Sequence, residues 1–223
     1  VDISPDKQNI DSVFSNTKYH IDFYQREYRW NQTPVIRLLG DIFYKFNENY
    51  LVYKDLPPDS HVIESKYPWY YLNTYVTNKV DGKVFIVDGQ QRLTTLSLIL
   101  NKLFHLAQNY KSQATKWLDS KIIGQDGFQS EFWLTHNAHK LTQQAIYDNQ
   151  LDKADVSTGI TAVNVVSNYK TISDYLNHNL DCIHKFETFV YYFLKRLVII
   201  NLTVEQTDVP MVFEVINDRG VSS

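Results

Sequence analysis

Val84-Phe-Ile-Val-Asp-Gly-Gln-Gln-Arg-Leu-Thr-Thr-Leu96 is the stretch on which the fold turns. Its first four residues are a continuous apolar run bounded by turn residues, the pattern of a strand buried on both faces. Asp88-Gly89 reads as a tight turn. Leu93, Leu96, Leu100, Leu103 and Ala107 then recur at helical spacing. A junction of strand, glycine turn and helix makes an anion site by simple means. Gly89 lets the backbone turn and a ligand approach. The first N–H groups of the helix, at Gln90–Leu93, lack partners within the helix and carry partial positive charge. Arg92 adds a planar forked cation suited to phosphate oxygens. Gln90 and Gln91 can donate hydrogen bonds, and Thr94 and Thr95 add hydroxyls. Asp88 has the chemistry to hold a magnesium ion or to orient a water. The plainer alternative is a helix capped by Asp88, with its polar side chains solvated. Neither the Walker pattern G-x-x-x-x-G-K-[ST] nor the G-x-G-x-x-G fingerprint occurs here.

Toward the N-terminus, Asn9–Asn16 reads as a short amphipathic helix, and Tyr19–Tyr24 alternates as a strand does. Thr33-Pro34 resembles a helix start, a hydroxyl cap followed by proline at the first position. Val35, Leu38, Leu39, Ile42, Phe43, Phe46 and Tyr50 continue that helix, which ends before Asp55-Leu-Pro-Pro58. Trp69–Thr77 is aromatic and β-branched, hence a strand. Residues 78–83, with Asp81-Gly82, read as a hairpin turn. Toward the C-terminus the spacing predicts helices over 112–119, 137–148, 161–178 and 182–195. Loops are expected at 120–130 and 150–160. Leu197–Thr203 is a last strand. Asp208 precedes a short helix through Ile216, which stops at Asn217-Asp-Arg-Gly220. The fold class is therefore α+β: a small mixed sheet, then a mostly helical part. The expected organisation is one domain, sheet-containing over about 1–110, helical over about 111–195, with a return strand and last motif over 196–223.

Composition agrees with one large domain. The chain has 223 residues, 43% hydrophobic and 21% charged, so it can bury a core. Its net charge of −3 does not announce a nucleic-acid binder. The single cysteine, Cys182, excludes an intramolecular disulfide and any multi-cysteine zinc site. No apolar run reaches the ~18 residues a membrane span needs, and no secretory signal pattern opens the chain. A cytoplasmic location without membrane contact is the expectation. The start at Val1 and the end at Ser223 read as a piece of something longer.

Two further stretches carry candidate chemistry. In Ile21-Asp-Phe-Tyr-Gln-Arg-Glu-Tyr-Arg-Trp30, Gln25 and Arg26 can reach a phosphate, and one of the aromatics Tyr24, Tyr28 and Trp30 can stack on a base. A strand exit with internally paired arginines is the alternative. In Phe213-Glu-Val-Ile-Asn-Asp-Arg-Gly220, Arg219 offers a third cation, and a plain helix stop is the alternative. Two patterns look like decoys. His136 and His139 have no third ligand near them in sequence. Pro58-Asp59 with Glu64-Ser-Lys66 imitates a nuclease motif at tight spacing.

Together and in this order, Tyr-Gln-Arg-x-Tyr-x-Trp, Val-Asp-Gly-Gln-Gln-Arg-Leu-Thr-Thr-Leu and Phe-x-x-x-Asn-x-Arg-Gly resemble the GmrSD-type family. The likeness is to the N-terminal, ParB/sulfiredoxin-like domain of modification-dependent restriction proteins and runs from about residue 9 to the end. Ten consecutive positions, Val87–Leu96, agree. Asp22 and Glu27 stand where the family usually has proline. The resemblance implies a nucleotide site, with Gly89-Gln90-Gln91-Arg92 as the counterpart of the ParB phosphate box. It implies binding and hydrolysis of a nucleoside triphosphate with Mg2+, with Asp88, Gln91 and Arg92 as catalytic residues. Tyr24, Gln25, Arg26, Gly89, Gln90, Thr94, Thr95, Asn217, Arg219 and Gly220 would bind the nucleotide. It further implies regulation of DNA cleavage by a C-terminal HNH-type nuclease domain beyond this chain, and a possible homodimer. The other reading is a module that senses modified DNA without hydrolysis.

Overall fold

The computed structural model describes residues 3–21 and 27–218. Tyr24, Gln25, Arg26, Arg219 and Gly220 lie outside the described residues, as does the side chain of Asn217.

The fold is α+β. The strands are β1 (Ile3–Asn9), β2 (Tyr19–His20), β3 (Tyr70–Val80), β4 (Lys83–Asp88), β5 (Ile123–Asp126), β6 (Gln129–Phe132), β7 (Leu134–Thr135) and β8 (Leu197–Val204). The helices are α1 (Ile10–Val13), α2 (Gln32–Tyr53), α3 (Ser60–Lys66), α4 (Gln90–Tyr110), α5 (Thr115–Ser120), α6 (Lys140–Tyr147), α7 (Ile160–Asn179), α8 (Ile183–Arg196) and α9 (Val209–Asp218). Six strands form one mixed sheet in the order β1-β8-β3-β4-β2-β7, and β5 and β6 make a separate hairpin. β3 runs antiparallel to β4 and parallel to β8.

The decisive stretch folds as its pattern demands. β4 is buried on both sides. Ile86 joins the main core, whereas Val87 packs with Val76, Val204 and Val209 in a second cluster. Leu202, Val212 and Phe213 close that cluster, which sets α9 against the strand ending at Asp88. The pairing slips between Val76 and Thr77, opposite the end of β4. Such a bulge re-aims the chain that follows it. α4 is buried around most of its circumference, from Gln90 to Ala107, and is the axis of the helical part. It packs against α5 and α7. The Asp81-Gly82 hairpin turn has both residues at positive φ, +52° and +77°, as a two-residue turn between twisted strands requires.

Several local expectations change. α2 starts earlier than Thr33-Pro34 suggests. Asn31 is its cap, and its side chain accepts from the Thr33 N–H at 3.0 Å. Asparagine is as good a cap as a hydroxyl, and proline is tolerated in the first turn because those N–H groups are orphans. β1 is a strand that the polar sequence Ile-Ser-Pro-Asp-Lys-Gln-Asn hides. It lies at the sheet edge, where Pro5 and exposed polar residues are permitted. Residues 120–130, expected as a loop, hold most of the β5–β6 hairpin. Asp59 caps α3 by accepting from the Val62 N–H at 2.9 Å, which assigns the nuclease-like Pro58-Asp59 pattern a capping role. Among the described residues, no helix is long and apolar enough to cross a membrane.

Candidate functional site

The Gly89 turn is built for glycine twice over. Its φ is +98°, and a Cβ placed there would sit 2.6 Å from the Tyr75 Cβ and 3.1 Å from the Tyr75 Cα. Gly89 itself is the N-cap of α4 and brings no side chain to the first turn. Asp88 is therefore not the cap that the plainer reading of the sequence offered. It closes β4, half-buried, paired with Val76. The first helical bond runs from the Leu93 N–H to the Gly89 carbonyl at 3.0 Å. The N–H groups of Gln90, Gln91 and Arg92 stand before that bond, on the electropositive end of a buried helix.

Gln90 is 2% exposed, yet among the described residues neither its Oε1 nor its Nε2 has a hydrogen-bond partner. A buried amide left unsatisfied costs about 1–3 kcal/mol. Such groups call for a specific explanation, a ligand or ordered water being the usual ones. Arg92 lies two residues on, half-buried, with its guanidinium 5.7 Å from the centre of the Trp30 ring. It makes no ion pair or hydrogen bond among the described residues. Burial pushes its pKa below the ordinary arginine value, with Tyr70, Asp41 and Tyr71 partly offsetting the shift. The guanidinium keeps its charge all the same. The donor set at this turn consists of backbone N–H groups, an orphaned amide and an unpaired cation. It fits an anion of phosphate chemistry.

Gln91 is engaged quite differently. Its Oε1 accepts from the Arg29 N–H at 2.7 Å and the Trp30 N–H at 3.2 Å, and its Nε2 donates to the Glu27 carbonyl at 2.7 Å. It clamps residues 27–30, a segment with no regular structure, onto the first turn of α4. Helix α7 completes the clamp. Thr161 Oγ1 accepts from the Tyr28 N–H at 3.0 Å, and Asn164 donates to the Tyr28 carbonyl at 2.8 Å. Asn168 donates to the Tyr28 hydroxyl at 2.9 Å and to the Trp30 carbonyl at 2.7 Å. Tyr28 is 1% exposed, and burial pushes its hydroxyl pKa up to about 12. Residues 161, 164 and 168 form a polar stripe at helical spacing on an otherwise apolar face, and that stripe is the signal that could have found them.

The threonines also face inward. Thr95 Oγ1 donates to the Gln91 carbonyl at 2.8 Å and meets the Tyr28 hydroxyl at 2.8 Å. Thr94 Oγ1 lies 3.2 Å from His136 Nε2. His139 Nδ1 lies 3.1 Å from Thr158 Oγ1, well away from His136's partner. Among the described residues, no group of three or more His, Cys, Asp and Glu could hold a metal ion. Arg29 is exposed and pairs with Glu27 at 3.2 Å. The structure thus brings Gly89, Gln90 and Arg92 together beside Trp30 and points Gln91, Thr94 and Thr95 to internal bonds. α9, with Asn217 in its last turn, packs on the other side of β4.

A family model described as "GmrSD restriction endonuclease, N-terminal domain" matches residues 10–222. No curated protein matches the chain.

Proposed function

The chain belongs to the GmrSD restriction endonuclease N-terminal domain family, and from that premise we propose that it binds and hydrolyses a nucleoside triphosphate at the Gly89 turn. Hydrolysis would govern DNA cleavage by a nuclease domain of the restriction system. The observation that carries the reading is the Gln90 side chain, buried and without a hydrogen-bond partner among the described residues in the first turn of α4, two residues before Arg92. The resemblance of Gly89-Gln90-Gln91-Arg92 to the ParB phosphate box supports the reading.

In this reading the N–H groups of Gln90, Gln91 and Arg92 cradle phosphate oxygens, and the Gln90 amide supplies a further bond. Arg92 neutralises phosphate charge, with Arg26 and Arg219 as further cations from the segments outside the described residues. Tyr24 and Gln25 would reach the same ligand from the residues just before the clamped segment. Asp88 would hold Mg2+ when the ion is bound, or position a water. Bound Mg2+ would supply charge neutralisation across those oxygens. Gln91 acts by position: it holds residues 27–30 so that Trp30 and the segment before it stay against the turn. Phosphoryl transfer needs chiefly positioning and electrostatic stabilisation, which this equipment offers in kind.

Calorimetric titration with each of the four nucleoside triphosphates and Mg2+ tests the reading, followed by phosphate-release assays. Arg92→Ala is expected to weaken binding about 10–100-fold, the loss of one charge-assisted contact. Equal binding by wild type and Arg92→Ala, or no binding of any of the four, would sink it.

A further inference from the structure

A cleft of about 680 Å³ opens between the main sheet and the β5–β6 hairpin. That volume lies within the ~300–1,000 Å³ common for ligand sites. The register of β3 and β8 sets Tyr75 beside Asn201 and Thr77 beside Thr203, so their side chains share a face. Gln8 of β1 joins them as a lining residue.

The hydrogen bonds of this floor have a consistent sense. Thr203 Oγ1 donates to Asn201 Oδ1 at 3.1 Å, Asn201 Nδ2 donates to Thr77 Oγ1 at 3.0 Å, and the Tyr75 hydroxyl donates to Gln8 Oε1 at 2.6 Å. Each bond occupies an acceptor. Left for a ligand are the Gln8 amide N–H pair, the second Asn201 N–H and the Thr77 hydroxyl proton, with a second lone pair on each of Gln8 Oε1 and Asn201 Oδ1. At the rim, Lys18 is paired with Glu131, and Asp126 is the other acidic lining residue. Lys79 and Lys83, on the β3–β4 hairpin, make no ion pair among the described residues. The cleft offers donors along its floor, lysine charge at Lys79 and Lys83, and acceptors at Asp126 and on the floor's amide oxygens. It suits a ligand that carries many acceptors and some donors, such as the phosphate oxygens, sugar oxygens and base edge of a nucleotide.

The hairpin adds a second, independent feature. Asp126 pairs with Gln129, so its tip is Gly127-Phe128. Gly127 has φ +62° at the first central position, as a type II′ turn has glycine there. Phe128 follows with its side chain fully exposed, at 106%. An aromatic ring held out at the end of a short hairpin, two residues from a donor-lined cleft, is a wedge geometry. Proteins that unstack a duplex insert such apolar side chains between base steps. Those that read a single nucleotide rotate it into a pocket and hydrogen-bond its edge.

We propose that this cleft takes one nucleotide rotated out of a DNA duplex, while Phe128 fills the gap it leaves and Lys79 and Lys83 meet the flanking phosphates. The site is separate from the Gly89 turn and needs no triphosphate. Tyr75 touches both places, its Cβ against Gly89 and its hydroxyl at Gln8.

Fluorescence anisotropy in nucleotide-free buffer tests this, with the whole chain and two short duplexes, one matched and one carrying a single bulged nucleotide. A bulge removes the cost of unpairing, so the bulged duplex is expected to bind at least about tenfold tighter. Asn201→Leu should abolish that preference. Gln8→Ala, at the edge strand, should reduce it in the same direction and serves if Asn201→Leu unfolds. Phe128→Ala should weaken the matched duplex and spare the bulged one. The double variant Lys79→Glu, Lys83→Glu should weaken both and flatten the salt dependence. Equal binding of the two duplexes, no binding of either at low salt, or a preference that survives the cleft variants would overturn the proposal.

Discussion

Gln90 and Gln91 are neighbours on one turn of one helix, and their surroundings could hardly differ more. Gln91 spends its amide on the backbone of residues 27–30, at three distances between 2.7 and 3.2 Å. Gln90, equally buried, bonds to nothing described. The two faces of the α4 start therefore do different work. The Gln91 face, with Thr95, Tyr28 and Asn168, is a closed network in which every partner is internal. The Gln90 face, with Arg92, keeps side-chain donors that have no hydrogen-bond partner among the described residues. The lesson is that a motif read as one functional unit splits into a half that builds the site and a half that meets the ligand.

The largest effect expected from breaking this arrangement comes at Gly89, which both halves share. Gly89→Ala forces a side chain into left-handed backbone and against Tyr75. The two penalties together should cost about 3–5 kcal/mol of stability, read by urea denaturation. Gln91→Leu comes next. It orphans two backbone N–H groups and one carbonyl, and should cost about 2–4 kcal/mol, with a fall in melting temperature of about 2–4 °C per kcal/mol. A cost near zero would mean that the clamp on residues 27–30 is incidental. Arg92→Ala separates the halves in the other direction. It should leave the melting temperature within about 2 °C of wild type, since no internal ion pair is lost, while removing most triphosphate binding. Arg29→Ala is the matched control at the smallest expected effect. Arg29 is exposed and, among the described residues, pairs with exposed Glu27, so both stability and binding should stay near wild type.

The sequence made some of this plain and concealed the rest for physical reasons. β4 and α4 were legible because burial on both sides writes a continuous apolar run, and a long buried helix writes leucines at helical spacing. The Asp81-Gly82 turn was legible because only a few residues adopt two successive positive φ values. The β5–β6 hairpin was not, although Asp126-Gly127 repeats the same turn signal. Its flanks, Gly124-Gln125 and Gln129-Ser130-Glu131, are polar on both sides because most of the hairpin stands in solvent. β1 was hidden for the same reason at the sheet edge. At the site, chemistry was readable but orientation was not. Gln90, Gln91, Thr94 and Thr95 looked equivalent as polar residues after a glycine. The partner each one meets arrives from far away in sequence: Thr161, Asn164 and Asn168 of α7 hold the segment that Gln91 clamps, and His136 meets Thr94.

The central claim is that Gln90 is buried for a ligand and not for the fold, and one variant tests it in both currencies. Gln90→Met keeps the size and removes the orphaned polar atoms. Thermal unfolding is measured with and without a triphosphate and Mg2+. The account predicts that the ligand-free melting temperature rises by about 2–8 °C, as about 1–2 kcal/mol of desolvation cost disappears, and that the rise caused by triphosphate in the wild type is lost. A variant that melts lower than wild type while keeping the full triphosphate-dependent rise would contradict it.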